Sequence, residues 1–405
     1  MNKKIKMLVI PSDHTGVGYF RSVSPHQYIA EHYGDEFDVD IVYSMPNGDI
    51  EGFLKQYDLI HIHKQLDKEG RIMQMIKFLG IPVIIDIDDH FKLGEDHPMS
   101  ITAKKEKWHE PIIKHIQMAD CVTTTTPIFA NVLKQYNKNV AVFPNAIDPT
   151  VEQYAGTKTP PTDRLRVGII CGSSHLKDLQ LIDGIAKQVN LDKVQFVLCG
   201  FDTRGNRTIY NQQTGEKTTR PILPEESVWC DYEKIFTDNY RTISPEHKEF
   251  LMKYTPNVDD PFTNEPYRRM WTRDINKYAT HYENVDVLIA PLKENEFNKV
   301  KSQLKETECG FTHTAFIGQN FGAYTIDLVP MIEKGGKINE NGTALLVDTS
   351  KNHKQWAKYI NKLADDREML KKLQDNLAEF VKANYSLEKV CKDRVEFYKK
   401  LVNKD

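Results

Sequence analysis

The stretch Gly156–Leu179, GTKTPPTDRLRVGIICGSSHLKDL, decides the fold. Its opening, Gly156–Asp163, holds two prolines and no apolar side chain, so it reads as a linker. Beyond it RVGIIC is an apolar run of strand length, bounded by Gly172, that opens a second unit. The same rhythm precedes the linker, where KMLVI, FDVDIVY, DLIHIH, PVIIDID, CVTTTT and VAVFP alternate with amphipathic stretches. It continues afterwards through VQFVLCG, VDVLIAPL and TALLV, with helices expected over Leu179–Val189, Trp356–Ala383 and Ser386–Leu401. Alternation of this kind gives an α/β fold, a mainly parallel sheet with helices on both faces, here twice. The expected domains are 1–155 and 164–385, with the last helix, 386–405, packing back on the first. Over 201–284 the rhythm fails in a polar segment rich in Arg, Thr, Pro and aromatics, which reads as an insertion. It is either a solvated excursion or an acceptor-binding or oligomerising element.

A length of 405 residues exceeds what one hydrophobic core organises, and two domains imply a cleft. The balance of 54 basic against 57 acidic residues excludes a whole-chain signature of nucleic-acid or membrane-surface binding. The cysteines at 121, 171, 199, 230, 309 and 391 are scattered without a CxxC pair, which argues against a disulfide framework or zinc ribbon. No run approaches the ~20 apolar residues that span a bilayer, and Met7–Ile10 is too short for a signal peptide. A cytoplasmic protein without stable membrane insertion is expected; its oligomeric state is left open.

Chemistry-bearing residues gather where strands end. The first strand runs into Thr15-Gly16-Val17-Gly18-Tyr19-Phe20-Arg21, where paired glycines let backbone N–H groups approach an anion or sugar. Arg21 stands where a dinucleotide fingerprint needs its third glycine, which argues against NAD. His61 and His63 end one strand and Asp86, Asp88 and Asp89 another, and both groups should line one cleft beyond the sheet. One histidine of the pair is expected in the sheet-helix packing. Three acids in four residues call for a cationic or hydroxyl-rich answer. In the second unit, Gly172, Ser173, Ser174, His175 and Lys177 follow a strand and read as a phosphate cradle. Lys301 and Lys305 are spaced for one helix face, with Glu308 a turn further on; a solvated helix with a Lys305–Glu308 pair is the bland alternative.

These segments resemble the GT-B-fold glycosyltransferases of the retaining, nucleotide-sugar-dependent kind related to sucrose and mannosyl transferases. GVGYFR is similar to their GVGYYR, and ADCVTTTTPIFANVLKQY with VAVFPNAID to ADxVTVST…VxPNGID. GSSHLKDL resembles GSxxHxKDL, and KSQLKETECG resembles KSNLKxxEAG, followed by NGTALLV for NGxLV. The resemblance implies two facing Rossmann-like domains and transfer of a sugar from a nucleoside-diphosphate sugar, most often a UDP-sugar, with no separate cofactor. It places Gly172, Ser173, Ser174, His175 and Lys177 at the diphosphate and Lys301 and Lys305 at phosphate or donor sugar. Glu308 goes to the ribose hydroxyls, and Gly16, Val17 and Gly18 face the leaving phosphate. Tyr19, Arg21, His63 and Asp86 are then expected at the acceptor, with Asp88 and Asp89 orienting sugar or acceptor hydroxyls.

The chain also departs from that pattern. Val300 replaces the first glutamate of the commoner Glu-x7-Glu version, and no proline stands near Ala315. The histidine usual after the fourth strand is replaced by DIDD, so none is carried over. Asp86 and Asp88 resemble a metal-binding Asp-x-Asp, but that motif belongs to a different fold, and no metal is expected. The acceptor is a glycan, a lipid-linked sugar, a protein or a hydroxymethylated DNA base, the last kept open by Arg204, Arg207, Arg220, Arg241, Arg268, Arg269 and Arg273. A catalytically silent module that binds a sugar nucleotide or partner, and a sugar-nucleotide epimerase, are the competing readings.

Overall fold

Runs rich in Val, Ile and Leu become buried strands, because a parallel sheet covered on both faces offers each side chain an apolar neighbour. The computed structural model describes residues 3–64, 70–95, 97, 99–202, 204–210, 217–223, 226–237, 265–348 and 353–403. Strands β1 (Ile5–Ile10), β2 (Phe37–Ile41), β3 (Leu59–His63), β4 (Val83–Ile87), β5 (Cys121–Thr124) and β6 (Val140–Val142) form a first sheet, ordered β2-β1-β3-β4-β5-β6. After the linker come β7 (Leu165–Ile170), β8 (Val194–Phe201), a hairpin of β9 (Asn206–Tyr210) and β10 (Lys217–Pro221), then β11 (Tyr267–Trp271), β12 (Val287–Ala290), β13 (Ala315–Gln319) and β14 (Leu345–Val347). The second sheet is ordered β11-β8-β7-β12-β13-β14, and every pairing in both six-stranded sheets is parallel. Helices cover both faces of each sheet.

Three expectations change. The helix over Leu179–Val189 is only Leu176–Leu179 followed by two 3-10 turns, because Gly184 adopts the left-handed region (φ 84°) and breaks it. The single helix over Trp356–Ala383 is two, His353–Asp365 and Arg367–Tyr385, since the Asp366 side chain caps the second by accepting from Met369 N. The region 201–284 is not all insertion. It supplies the helix Val228–Thr237 and β11, which pairs with β8 inside the second sheet. Arg268 and Arg269 disguise β11 as a loop; both are buried, Arg269 with Nε 3.2 Å from Glu233 and its guanidinium over the Phe201 ring. Arg241 lies outside the described residues.

The chain crosses between the sheets twice, side by side. Ile147 N donates to Tyr385 O (3.1 Å) and Leu387 N donates to Ile147 O (2.9 Å). Ser386 caps the helix Leu387–Val402, which buries Leu387, Val390, Val395, Tyr398 and Leu401 against Met7, Val9, Ile29, Leu59 and Ile84 of the first unit. Polar groups lie buried under this helix. Tyr398 OH bridges Arg394 (3.1 Å) and His26 Nε2 (3.0 Å), and His26 Nδ1 donates to Ser22 O (2.6 Å). Tyr398 OH, accepting from Arg394, can donate its own proton to a neutral Nε2. Burial first, then Arg394, pushes the His26 pKa from 6.5 down to about 3.

A histidine whose folded pKa is depressed leaves the unfolded chain binding more protons, so stability falls as pH drops from 6.5 towards 3. We expect His26 to contribute on the order of 4 kcal/mol of that loss. Urea unfolding across this range should show a shallower pH slope for His26→Gln than for the wild type.

Candidate functional site

Both sheets reverse strand order at a central pair, β1/β3 in the first and β7/β12 in the second. Ligand crevices open beyond the carboxyl ends of strands at such points. At the second, the loop Gly172-Ser173-Ser174 follows β7, with Ser173, Ser174 and Lys177 exposed and open space where a Gly172 side chain would be. The loop is braced from behind. Tyr232 OH accepts from His175 N (2.9 Å) and donates to Gly172 O (3.0 Å), so the segment that looked like an insertion holds the cradle. His175 Nδ1 donates to Asp178 (2.8 Å), whose other oxygen accepts from Lys293 N and Asn298 Nδ2, both 2.8 Å. Asp178 thereby ties the loop after β7 to the loop after β12. Burial, reinforced by Lys301, lowers the His175 pKa.

Lys301 and Lys305 do not share a helix. Lys301 lies in the loop, and Lys305 in the first turn of the helix Leu304–Phe311. The two ammonium groups still act on one another, and burial, with Lys301 adding to it, lowers the Lys305 pKa. Lys177, Ser174 and Lys301 line one narrow cleft, so lysines distant in sequence meet there. Glu308 is fully buried, and burial drives its pKa well up. Its Oε2 accepts from Tyr282 OH (2.7 Å) and lies 3.5 Å from Lys305 Nζ, while Oε1 has no partner. An unanswered buried carboxylate oxygen is costly.

The facing wall is built on the first sheet. Gly16–Gly18 makes one helical turn after β1, and a side chain at Gly16 would touch Ile275 of the second unit (3.5 Å). The Gly18 N–H is not free for an anion, because Asp13 Oδ1 accepts from it (3.3 Å) and from Thr15 N (2.7 Å). A Cβ at Gly18 would fall 2.2 Å from Asp13 O, which requires glycine. Val17 is half-buried, and Tyr19 packs against the core of the second unit. Ser12 Oγ joins Asp13 (2.6 Å) to His63 Nδ1 (2.9 Å), and His63 Nε2 lies 3.3 Å from Asp88. Burial would raise the Asp88 pKa, but Lys64, with Nζ 3.7 Å away, together with His63 and Arg21 outweighs it and leaves it well below the usual carboxylate range. Asp89 is half-exposed at the same strand end.

Arg21 and Asp86, expected at the acceptor, are committed to each other. Arg21 Nε and Nη2 meet the two Asp86 oxygens at 2.8 and 2.7 Å, Thr123 Oγ1 adds a third bond (2.6 Å), and both residues are buried. His61 and His63 are both fully buried, since residues two apart on a strand share a face; His61 lies against His26 and Asp86.

Residues the sequence reading missed complete the cleft. His97, in the loop after β4, faces Ser174, Lys177 and Lys301 across it. Its Nδ1 accepts from Met99 N (3.1 Å), which places the proton on Nε2, and burial with Lys301 lowers its pKa. Lys64, at φ 34°, is the other. Its only signal was a cation directly after LIHIH. Among the described residues no group of three His, Cys, Asp or Glu could hold a metal ion. A roomier cavity, about 390 Å³ between β5, β6 and the last helix, opens at the amino ends of those strands, away from the cleft.

No protein-family model and no curated protein matches this chain. Solved structures do. Anabaena Alr3699/HepE in complex with UDP and glucose superposes with a TM-score of 0.59 at 12% identity, over 98% of this chain and 100% of that one. Sucrose-phosphate synthase from Thermosynechococcus elongatus gives 0.60 at 14%, over 98% and 99%. An alpha-glucosyltransferase in complex with UDP and DNA containing an HMU base gives 0.57 at 12%, over 99% and 100%. Agreement across the whole chain at such low identity shows the architecture: two facing Rossmann-like units with a cleft between them, the GT-B fold.

Proposed function

We propose that this chain transfers a sugar from a UDP-sugar to an acceptor hydroxyl with retention of configuration. One observation carries the reading: Lys177 and Lys301, from distant segments, line one cleft with Ser174 and face His97 of the opposite wall. A diphosphate answers that gathering of cations, and its charge grows as it departs, so the lysines stabilise the transition state more than the bound donor. Lys305, charged against the cost of burial, gains most from such a partner. The His97 Nε2–H would reach the donor sugar or its phosphate, and Glu308, fully enclosed, would act through Lys305, 3.5 Å from its Oε2, rather than reach ribose hydroxyls itself. On the facing wall Asp88 and Asp89 would orient hydroxyls.

In the step itself the acceptor oxygen bonds to the anomeric carbon as the bond from that carbon to the phosphate oxygen breaks. Attack comes from the leaving group's own face, and the acceptor proton passes to the departing phosphate. No covalent carboxylate is required. HepE and the alpha-glucosyltransferase, each solved with UDP, support a uridine donor. The second of these also holds DNA, but here Arg204 is answered by Asp202, and Arg207 and Arg220 by Glu226, so the reading favours a hydroxyl-rich glycan over a nucleic acid.

Lys305→Ala should lower UDP release from UDP-glucose on the order of 10- to 1,000-fold, with a smaller loss of UDP affinity by calorimetry. Near-normal turnover in this variant and in Lys177→Ala and Lys301→Ala would remove the phosphate site. Because lysines supply the charge that a divalent cation would otherwise bring, turnover should persist in excess EDTA. Loss of activity on chelation, restored by a divalent cation, would overturn the lysine-only account.

A further inference from the structure

From each of the two crossings one side chain reaches into the short segment between Lys301 and Lys305. Asn145, at the first crossing, donates from Nδ2 to Ser302 Oγ (3.1 Å). Tyr385, at the second, accepts from Gln303 Nε2 (2.5 Å) and donates to Asp327, which also accepts from Gln303 (2.9 Å). Ser302 and Gln303 sit directly between Lys301 and Lys305. Nor is the Asn145 amide free to turn. Arg21 Nη1 donates to its Oδ1 (3.1 Å) and to Phe143 O (2.7 Å), and a guanidinium can only donate, so the Asn145 amide nitrogen must face Ser302. A continuous path thus runs from Asp86 through Arg21 and Asn145 to Ser302. Gln303 and Asn145 are nearly buried, so water competes little for these bonds.

We propose that Asn145 is a positioning residue of the donor site, and that with Tyr385 it clamps the loop Lys301–Gln303, which leads into the helix bearing Lys305, to the two crossings. The orientation of one domain against the other and the placement of the phosphate lysines then change together: a rotation about the crossings that moves Asn145 and Tyr385 also moves the loop. The inference rests on the donor reading above. A clamp that merely joined the domains would have no reason to close on the segment between two facing cations.

The test is a double-mutant cycle on UDP binding, measured by calorimetry, with Asn145→Ala, Ser302→Ala and the pair. Each single variant should weaken UDP binding about 3- to 30-fold, and the pair no more than the worse single, since both remove one bond. Tyr385→Phe keeps the fold contact of its ring and gives an independent reading from the second crossing, should Asn145→Ala fail to melt cooperatively; it too should weaken UDP binding. UDP affinities unchanged from wild type, or independent additive losses in the cycle, overturn the clamp while leaving the donor site standing. A wild-type protein that binds neither UDP nor UDP-glucose overturns the donor reading and the clamp with it.

Discussion

A guanidinium cannot shed its charge, and Arg21 is buried at 1% exposure. Everything near it is arranged to answer that charge. Asp86 meets it with both oxygens, Phe143 O and Asn145 Oδ1 accept from Nη1, and Thr123 supports Asp86 from β5. The partners come from β4, β5, the end of β6 and the first crossing, so this one group fixes the glycine turn after β1 against most of the first sheet. Removing one partner would leave an uncompensated buried ion, typically about 3–5 kcal/mol. The cleft's first wall depends on this pair even though neither residue faces the cleft.

The two walls differ in charge. The second presents Lys177, Lys301 and Lys305 around a hydroxyl-bearing loop, while the first presents Asp13, Asp88 and Asp89 around Lys64. Cations suit a departing diphosphate and carboxylates suit hydroxyl groups, so the charge division on which the proposed donor and acceptor sides rest follows from which residues end the central strands of each sheet. His97 is one point of contact between the walls: it feels Lys301 on one side and Asp89 and Lys64 on the other.

Much of the architecture was legible. Strand runs with Gly or Pro boundaries carry their own signal, and the proline-bearing stretch Gly156–Asp163 lies between the last strand of the first sheet and the first strand of the second. What escaped were elements whose signal runs against type. β11 carries two arginines, legible as a strand only once Glu233 and Phe201 are seen to answer one of them. Gly184 ended a helix that its apolar spacing favoured, since one left-handed residue outweighs periodicity. Lys301 left the helix face assigned to it because the helix begins only at Leu304.

Local order along the chain set which residue types stand at strand ends: glycines, serines and lysines in one half, histidines and acids in the other. Those identities are legible in the sequence, since a strand's carboxyl end lies where its apolar run stops. Only tertiary structure decided which of them are free. Arg21 and Asp86 looked as available as Lys177 and Asp89, and they are buried against each other because β4 and the turn after β1 meet at that depth. His97 carried no signal, because its place in the cleft comes from a loop folding across to the other domain. Pairing and burial depend on what approaches from elsewhere in the chain, and spacing along one segment does not encode that approach.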